Sequence, residues 1–244
     1  MPEQNWITRY ESVKEHLRCK TDLDSYFSEN QIGEMPVDCI GIGTVHFPTG
    51  EVFACDPLVE LEDAPTYLQK APVGSYPVEI CVVPSKQYGD RYACVRVKIS
   101  DQKPVVYEMG MTGKENLEEE LQDGDFFGFG VDAGMACIAD KKAQQAYRDY
   151  WQKRCEQEED IDPYDDLFCD ILEQSFKESP KYQREGGDWA NWTVPETDCN
   201  IPIFASGWGD GEYPCYFGYD EQNNLCAIYL WLIDIEQEYG ESEE

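Results

Sequence analysis

The chain has 244 residues and carries 50 Asp and Glu against 19 Lys and Arg, a formal net charge of −31. So acidic a balance repels unmodified nucleic acid and anionic membranes and leaves a basic protein or a cation as the natural complement. At 41% hydrophobic and 13% aromatic residues, spread over nearly the whole length, it is no acidic disordered segment and has enough apolar surface for a real core.

The opening MPEQNWITRYESVKEHLRCK is interrupted by charge every few residues, without the apolar centre of a signal peptide or a spanning segment, so a cytoplasmic location is expected. Within it Trp6, Tyr10, Val13 and Leu17 recur at three- and four-residue steps, one face of an amphipathic helix. DLDSYFSENQIG reads as a short helical or irregular piece, completing an N-terminal helical segment over residues 1–39. From Ile40 the pattern turns to strands. IGIGTVHFPTGEVFACDPLV predicts two strands forming a hairpin at Pro48-Thr49-Gly50, because proline presets one turn position and glycine accepts positive φ at a later one. YPVEICVVP, YACVRVKIS and PVVYEMG continue the series.

An acidic bridge, GKENLEEELQDGD, leads to FFGFGVDAGMACIAD, whose central glycines predict a bent strand. Asp140 then stands at the N-cap position of a helix over KKAQQAYRDYWQKRCEQEED, and Asp162 with Pro163 opens a second one. After a loop, IPIFASGWGDGEYPCYFGYD and LCAIYLWLID read as further strands, and residues 235–244 as a solvated acidic tail. Strands, then two helices, then strands predict an α+β fold with a largely antiparallel sheet core, an N-terminal helix and a central helical insert. The expected domain spans residues 40–234, with the insert near 140–180.

No complete catalytic motif is present. Gly110-Met111-Thr112-Gly113-Lys114 has the wrong glycine spacing for a phosphate loop, and Glu115 stands where the hydroxyl is required. Asp160, Asp162, Asp165 and Asp166 lack the glycine and glutamate of a calcium loop, since Asp165 and Ile171 occupy those positions, and they suit a helix start instead. Eleven cysteines, none within four residues of another, exclude the usual paired-cysteine zinc and redox hairpins and predict reduced, unpaired thiols. Of the two histidines, His46 is the one that can be placed beside a cysteine, Cys55, on the other arm of the expected hairpin; it reads as a strand histidine bonded to a neighbour.

The remaining constellation is Asp132-Ala133-Gly134 with Gly207-Trp208-Gly209-Asp210-Gly211-Glu212-Tyr213. Asp132, Asp210 and Glu212 are the oxygen ligands or acid/base groups of a metal-assisted hydrolase, if the chain is one. A tight Asp-Gly turn capping two core strands is the simpler account, and no cofactor is expected.

In order and spacing, GTVHFPTGEVFACDPL, GFGVDAGMACIAD and FASGWGDGEYPCYFGYD resemble the bacterial domain-of-unknown-function family 4241 over Gly41 to Asp234. The resemblance implies a cytoplasmic, single-domain bacterial protein with Asp56, Asp132, Gly134, Asp210, Gly211 and Asp234 on signature positions, and it implies no activity. The residues themselves leave two functional expectations. The first is a binding protein that meets a basic protein, as an immunity protein neutralises a toxin, through an acidic surface at Glu156, Glu158, Glu159, Asp162, Asp165 and Asp166 and the arginine-free C-terminal segment. The second is the metal-assisted hydrolase.

Overall fold

The computed structural model describes residues 2–86 and 89–240. Helix α1 (Gln4–Val13) and the single turn α2 (Ser25–Ser28) precede a small ladder of β1 (Gln31–Ile32) and β2 (Met35–Pro36). Then come β3 (Asp38–Phe47), β4 (Val52–Cys55), β5 (Gly74–Val83), β6 (Arg91–Lys98), β7 (Val106–Met109), β8 (Phe129–Val131) and β9 (Met135–Asp140). The helical insert is α3 (Lys141–Cys155), followed by a wide turn at Tyr164–Phe168 that runs into α4 (Cys169–Glu178). Strands β10 (Trp189–Thr193), β11 (Asn200–Ala205), β12 (Gly211–Tyr213), β13 (Cys215–Tyr219) and β14 (Leu225–Trp231) lead to the short helix α5 (Ile235–Tyr239). All sheets are antiparallel: a six-stranded one in the order β3-β5-β6-β14-β13-β7, a four-stranded one in the order β10-β11-β9-β4, and the pair β12-β8. This is the α+β fold that the succession of elements predicts.

The apolar runs in β4 and β9 arise because the four-stranded sheet is covered on both faces. Alternate side chains point opposite ways along a strand. Val52, Ala54, Ala136, Ile138 and Phe204 accordingly join the core shared with the six-stranded sheet, whereas Phe53, Cys55, Cys137, Ala139 and Ile203 join a second core under the helices. In that second core Tyr147 stacks near Trp151 and Phe168, and Trp192 meets Phe168 edge-on at 5.4 Å between ring centroids. Such pairs each add about 0.5–1.5 kcal/mol beyond burial.

The N-terminal segment is built into the same structure. Val13, Leu17, Leu23 and Tyr26 are buried in the first core, and Arg96 binds both Asp24 and Glu79 at 2.7 Å with its guanidinium 4.3 Å from the Phe27 ring. At the other end of the chain, the Tyr26 hydroxyl accepts hydrogen bonds from Trp231 Nε1 (3.1 Å) and Ile235 N (3.2 Å).

Three expectations are corrected. The turn at Pro48-Thr49-Gly50 exists, with Gly50 at φ +72° and its Cα so close to Ala71 that a Cβ would stand 2.1 Å from the carbonyl oxygen. It does not close a hairpin, however: β3 pairs with β5 and β4 with β9, so His46 and Cys55 lie in different sheets. The segment read as a loop before β11 contains β10, whose Asn191 donates its amide to the Ile42 and Thr44 carbonyls of β3 at 3.0 and 2.8 Å. Residues Ile235–Tyr239 of the expected tail form α5, with Ile235 buried and Asp234 capping the helix at Gln237 N; 241–244 lie outside the described residues.

Asp140 caps α3 as expected and does more. Fully buried, its carboxylate accepts from Lys142 N (2.8 Å), Thr49 N (3.0 Å), Gly50 N (2.9 Å) and the Thr49 hydroxyl. Asp140→Ala leaves these donors unmatched and is expected to lower stability by about 3 kcal/mol. Urea unfolding should report this as a lower midpoint at unchanged slope.

Candidate functional site

The bend between β8 and β9 carries Asp132 and Gly134, two of the positions singled out in the sequence. Asp56, immediately after β4, is 1% exposed, and its carboxylate accepts from Leu58 N (2.9 Å), Asp132 N (3.0 Å) and Ala133 N (2.7 Å). Gly134 continues the bend at φ +69°, a conformation that a side chain strains. Opposite it, the turn after β11 is closed by Gly209 N donating to Ser206 O at 2.8 Å and by the Ser206 hydroxyl donating to Gly209 O at 2.8 Å. The buried phenol of Tyr213 reaches both the Ser206 and Gly209 carbonyls, at 2.7 and 2.8 Å.

Gly211 pairs with Val131 at the end of the β12-β8 ladder, and Asp210 and Asp132 are the residues next to that pair in the two turns. The two expected turn acids therefore adjoin the same end of one two-stranded ladder, and both are exposed. Glu212 is engaged elsewhere, accepting from Gly128 N at 3.0 Å. Among the described residues no group of three or more His, Cys, Asp or Glu is arranged to hold a metal ion. Asp234 is the α5 cap and not part of this cluster.

Between the two turns and the helical insert lies a cleft of about 760 Å³, lined among others by Val59, Gly134, Tyr164, Arg184 and Trp208. Trp208 is 46% exposed at the tip of its glycine-flanked turn, with the Arg91 guanidinium 5.1 Å from its ring centroid and the Tyr239 ring 6.2 Å away. Tyr164 and Val59, at 43% and 57%, add exposed apolar surface to the same cleft. Arg184 forms part of the wall and binds Asp188 through Nε (2.8 Å) and Nη2 (2.6 Å).

All six insert acids are exposed, but they differ in what they do. Asp162 Oδ1 accepts from Tyr164 N (2.8 Å) and Asp165 N (3.0 Å), and Asp166 accepts from Asp162 N (2.7 Å), so both shape the entry to α4. Glu158 pairs with Arg154 at 3.0 Å, and Glu156 accepts from Gln152 at 3.1 Å. Glu159 and Asp165 have no side-chain partner among the described residues. Asp162 also lines the cleft, which joins the insert to the turns at Ala133–Gly134 and Ser206–Gly209. Val59, Arg91, Tyr164 and Arg184 were not foreseen as site residues. The one available signal was Trp208, a large aromatic between glycines in a segment whose other aromatics are core.

An α+β sheet protein with a loop-built cleft and an acidic helical insert is the class that the fold and site define. A family model described as "Protein of unknown function (DUF4241)" matches residues 45–230, and the chain belongs to that family. No curated protein and no solved structure matches it. No helix among the described residues is long and apolar enough to cross a membrane.

Asp56→Ala should free the Asp132 and Ala133 amides, speeding their hydrogen exchange selectively and costing about 2 kcal/mol of stability. Exchange at these two amides that matches the wild type would show that the carboxylate does not hold the bend.

Proposed function

We propose that the protein is a non-enzymatic binding module that engages a basic protein through the cleft and the acidic surface around it. The carrying observation is the exposed trio Val59, Tyr164 and Trp208 around one cleft, bordered by the carboxylates of Asp162 and Glu185. Exposed aromatics within a charged rim are the usual composition of an interface hot spot. Carboxylates within a Debye length of one another, about 8–10 Å near physiological salt, reinforce each other and steer a cationic partner. In its most specific form the proposal is a cytoplasmic immunity protein that neutralises a basic toxin, a role in which charge complementarity sets encounter rate and partner choice. A neighbouring reading frame encoding a chain with a basic C-terminal domain would support that form.

Trp208→Ala is expected to weaken binding roughly thirty-fold, about 2 kcal/mol, while leaving the melting temperature nearly unchanged. Reversal of Glu156, Glu159 and Asp165 to Lys spares the acids that shape the entry to α4; it should slow association and flatten its salt dependence. Pull-down from the native host that recovers the same proteins with wild-type and both altered baits would defeat the proposal.

The position of Asp132 and Asp210 beside the same end of the β8-β12 ladder favours a second reading, a metal-assisted hydrolase with Glu212 recruited to the two acids on binding. Magnesium or calcium at millimolar concentration should then raise the melting temperature by mass action, and neutralising Asp132 and Asp210 together should abolish the rise. No shift with either ion would remove this reading.

A further inference from the structure

Sheet register sets several cysteines side by side. Cys39 of β3 is the direct partner of Cys81 of β5, Cys81 is the direct partner of Cys94 of β6, and Cys55 of β4 is the direct partner of Cys137 of β9. Antiparallel partners stand about 4.5–5.5 Å apart between Cα atoms, within the roughly 4.4–6.8 Å that a disulfide spans. All eleven cysteines are free thiols, and the Cys55 and Cys137 sulfurs lie 3.6 Å apart. Reach alone therefore does not distinguish these pairs.

Access does. Cys55, Cys137, Cys81 and Cys94 are completely buried, whereas Cys39 is half-buried at the outer strand of the six-stranded sheet. We propose that Cys39 and Cys81 are a redox-active pair, which a low-molecular-weight disulfide of the glutathione class converts to a cross-strand disulfide. The neighbouring Cys81 thiol, opposed by burial, lowers the Cys39 pKa, while Cys81 itself is pushed far up. The thiolate is the attacking form, so Cys39 reacts first.

The Cys39 thiolate attacks one sulfur of glutathione disulfide, forming a mixed disulfide and releasing one glutathione thiolate. Cys81 then gives up its proton and attacks the Cys39 sulfur, expelling the second glutathione. In sum, two protein thiols lose two electrons and two protons to become one disulfide, and one glutathione disulfide becomes two glutathione thiols. Cys155, the exposed cysteine, has no thiol in register with it and stops at the mixed disulfide.

Neighbours of the pair reach the segment that leads into the cleft wall. Cys39 Sγ donates to the Tyr26 carbonyl at 3.5 Å, a contact the disulfide would withdraw. The adjoining Asp38 accepts from Lys181 Nζ (2.6 Å) and the Tyr182 hydroxyl (2.9 Å), just before the wall formed by Arg184.

The test is peptide mapping of the fully reduced, folded protein after exposure to glutathione disulfide. A linked Cys39–Cys81 peptide lighter by two hydrogens is expected, with Cys55 and Cys137 still free and Cys155 carrying one glutathionyl group. Cys81→Ala should arrest the reaction at a stable glutathionyl group on Cys39, and Cys39→Ser should leave Cys81 unmodified. A wild-type protein whose Cys39 stays free while Cys155 reacts would overturn the proposal. So would one whose Cys39 stops at the mixed disulfide, or whose link joins Cys81 to Cys94. Should Cys81→Ala fail to fold, the wild-type map and the Cys39→Ser protein still decide.

Discussion

Two buried carboxylates clamp the β4–β9 pair from opposite ends. Asp140 ends β9 and grips the turn that feeds β4, while Asp56 follows β4 and grips the bend that feeds β9. Each strand thus carries the fastener for the loop entering its partner. Burying an ionised group is costly unless hydrogen bonds replace its water, and backbone amides supply them here. Removing either carboxylate would strip one loop of its fixed geometry and leave buried amides without acceptors. The cleft inherits its geometry from this arrangement, since Leu58 and Ala133, held by Asp56, belong to its lining.

A chain with so large an acidic excess must place its few cations carefully. Arg96 serves two carboxylates and an aromatic ring at once, and Arg154 holds Glu158 together with the Asp166 carbonyl. Arg184 is committed to the buried Asp188. Arg96 and Arg154 thus tie separate segments together, while acids such as Glu159 and Asp165 project into solvent. Repulsion among exposed acids lowers stability and raises solubility, a balance that a large two-sided core can sustain.

Local chemistry was legible in the sequence wherever the interacting groups are close along the chain. The Asp140 cap, the Asp162-Pro163 helix start and the positive φ of Gly50 are all properties of a few consecutive residues. Strand pairing is not such a property. The turn at Pro48-Thr49-Gly50 has the chemistry of a hairpin, but a carboxylate 90 residues downstream holds it, and β4 is claimed by β9. Strand β10 escaped notice because WANWT is just five residues long, between turn-rich flanks, and its Asn191 finds its acceptors across sheets. In the site, Asp162 was named from the sequence and lines the cleft, whereas Arg91 over Trp208 depends on β6 reaching the β11–β12 turn, which no local pattern encodes.

The place of β14 bears on how the chain is made. It lies in the interior of the six-stranded sheet, between β6 and β13, although it is made after every other strand of that sheet. Until Leu225–Trp231 emerge, β6 has an open edge with Ala93, Cys94, Val95 and Val97 beside it, and Tyr26 lacks the Trp231 and Ile235 donors that tie the chain's two ends. Pairings over such sequence distances are slow to form and leave unpaired edges open to aggregation. Nascent chains therefore hold an unfinished sheet until β14 has been made, and during that interval their heavy negative charge keeps neighbouring chains apart.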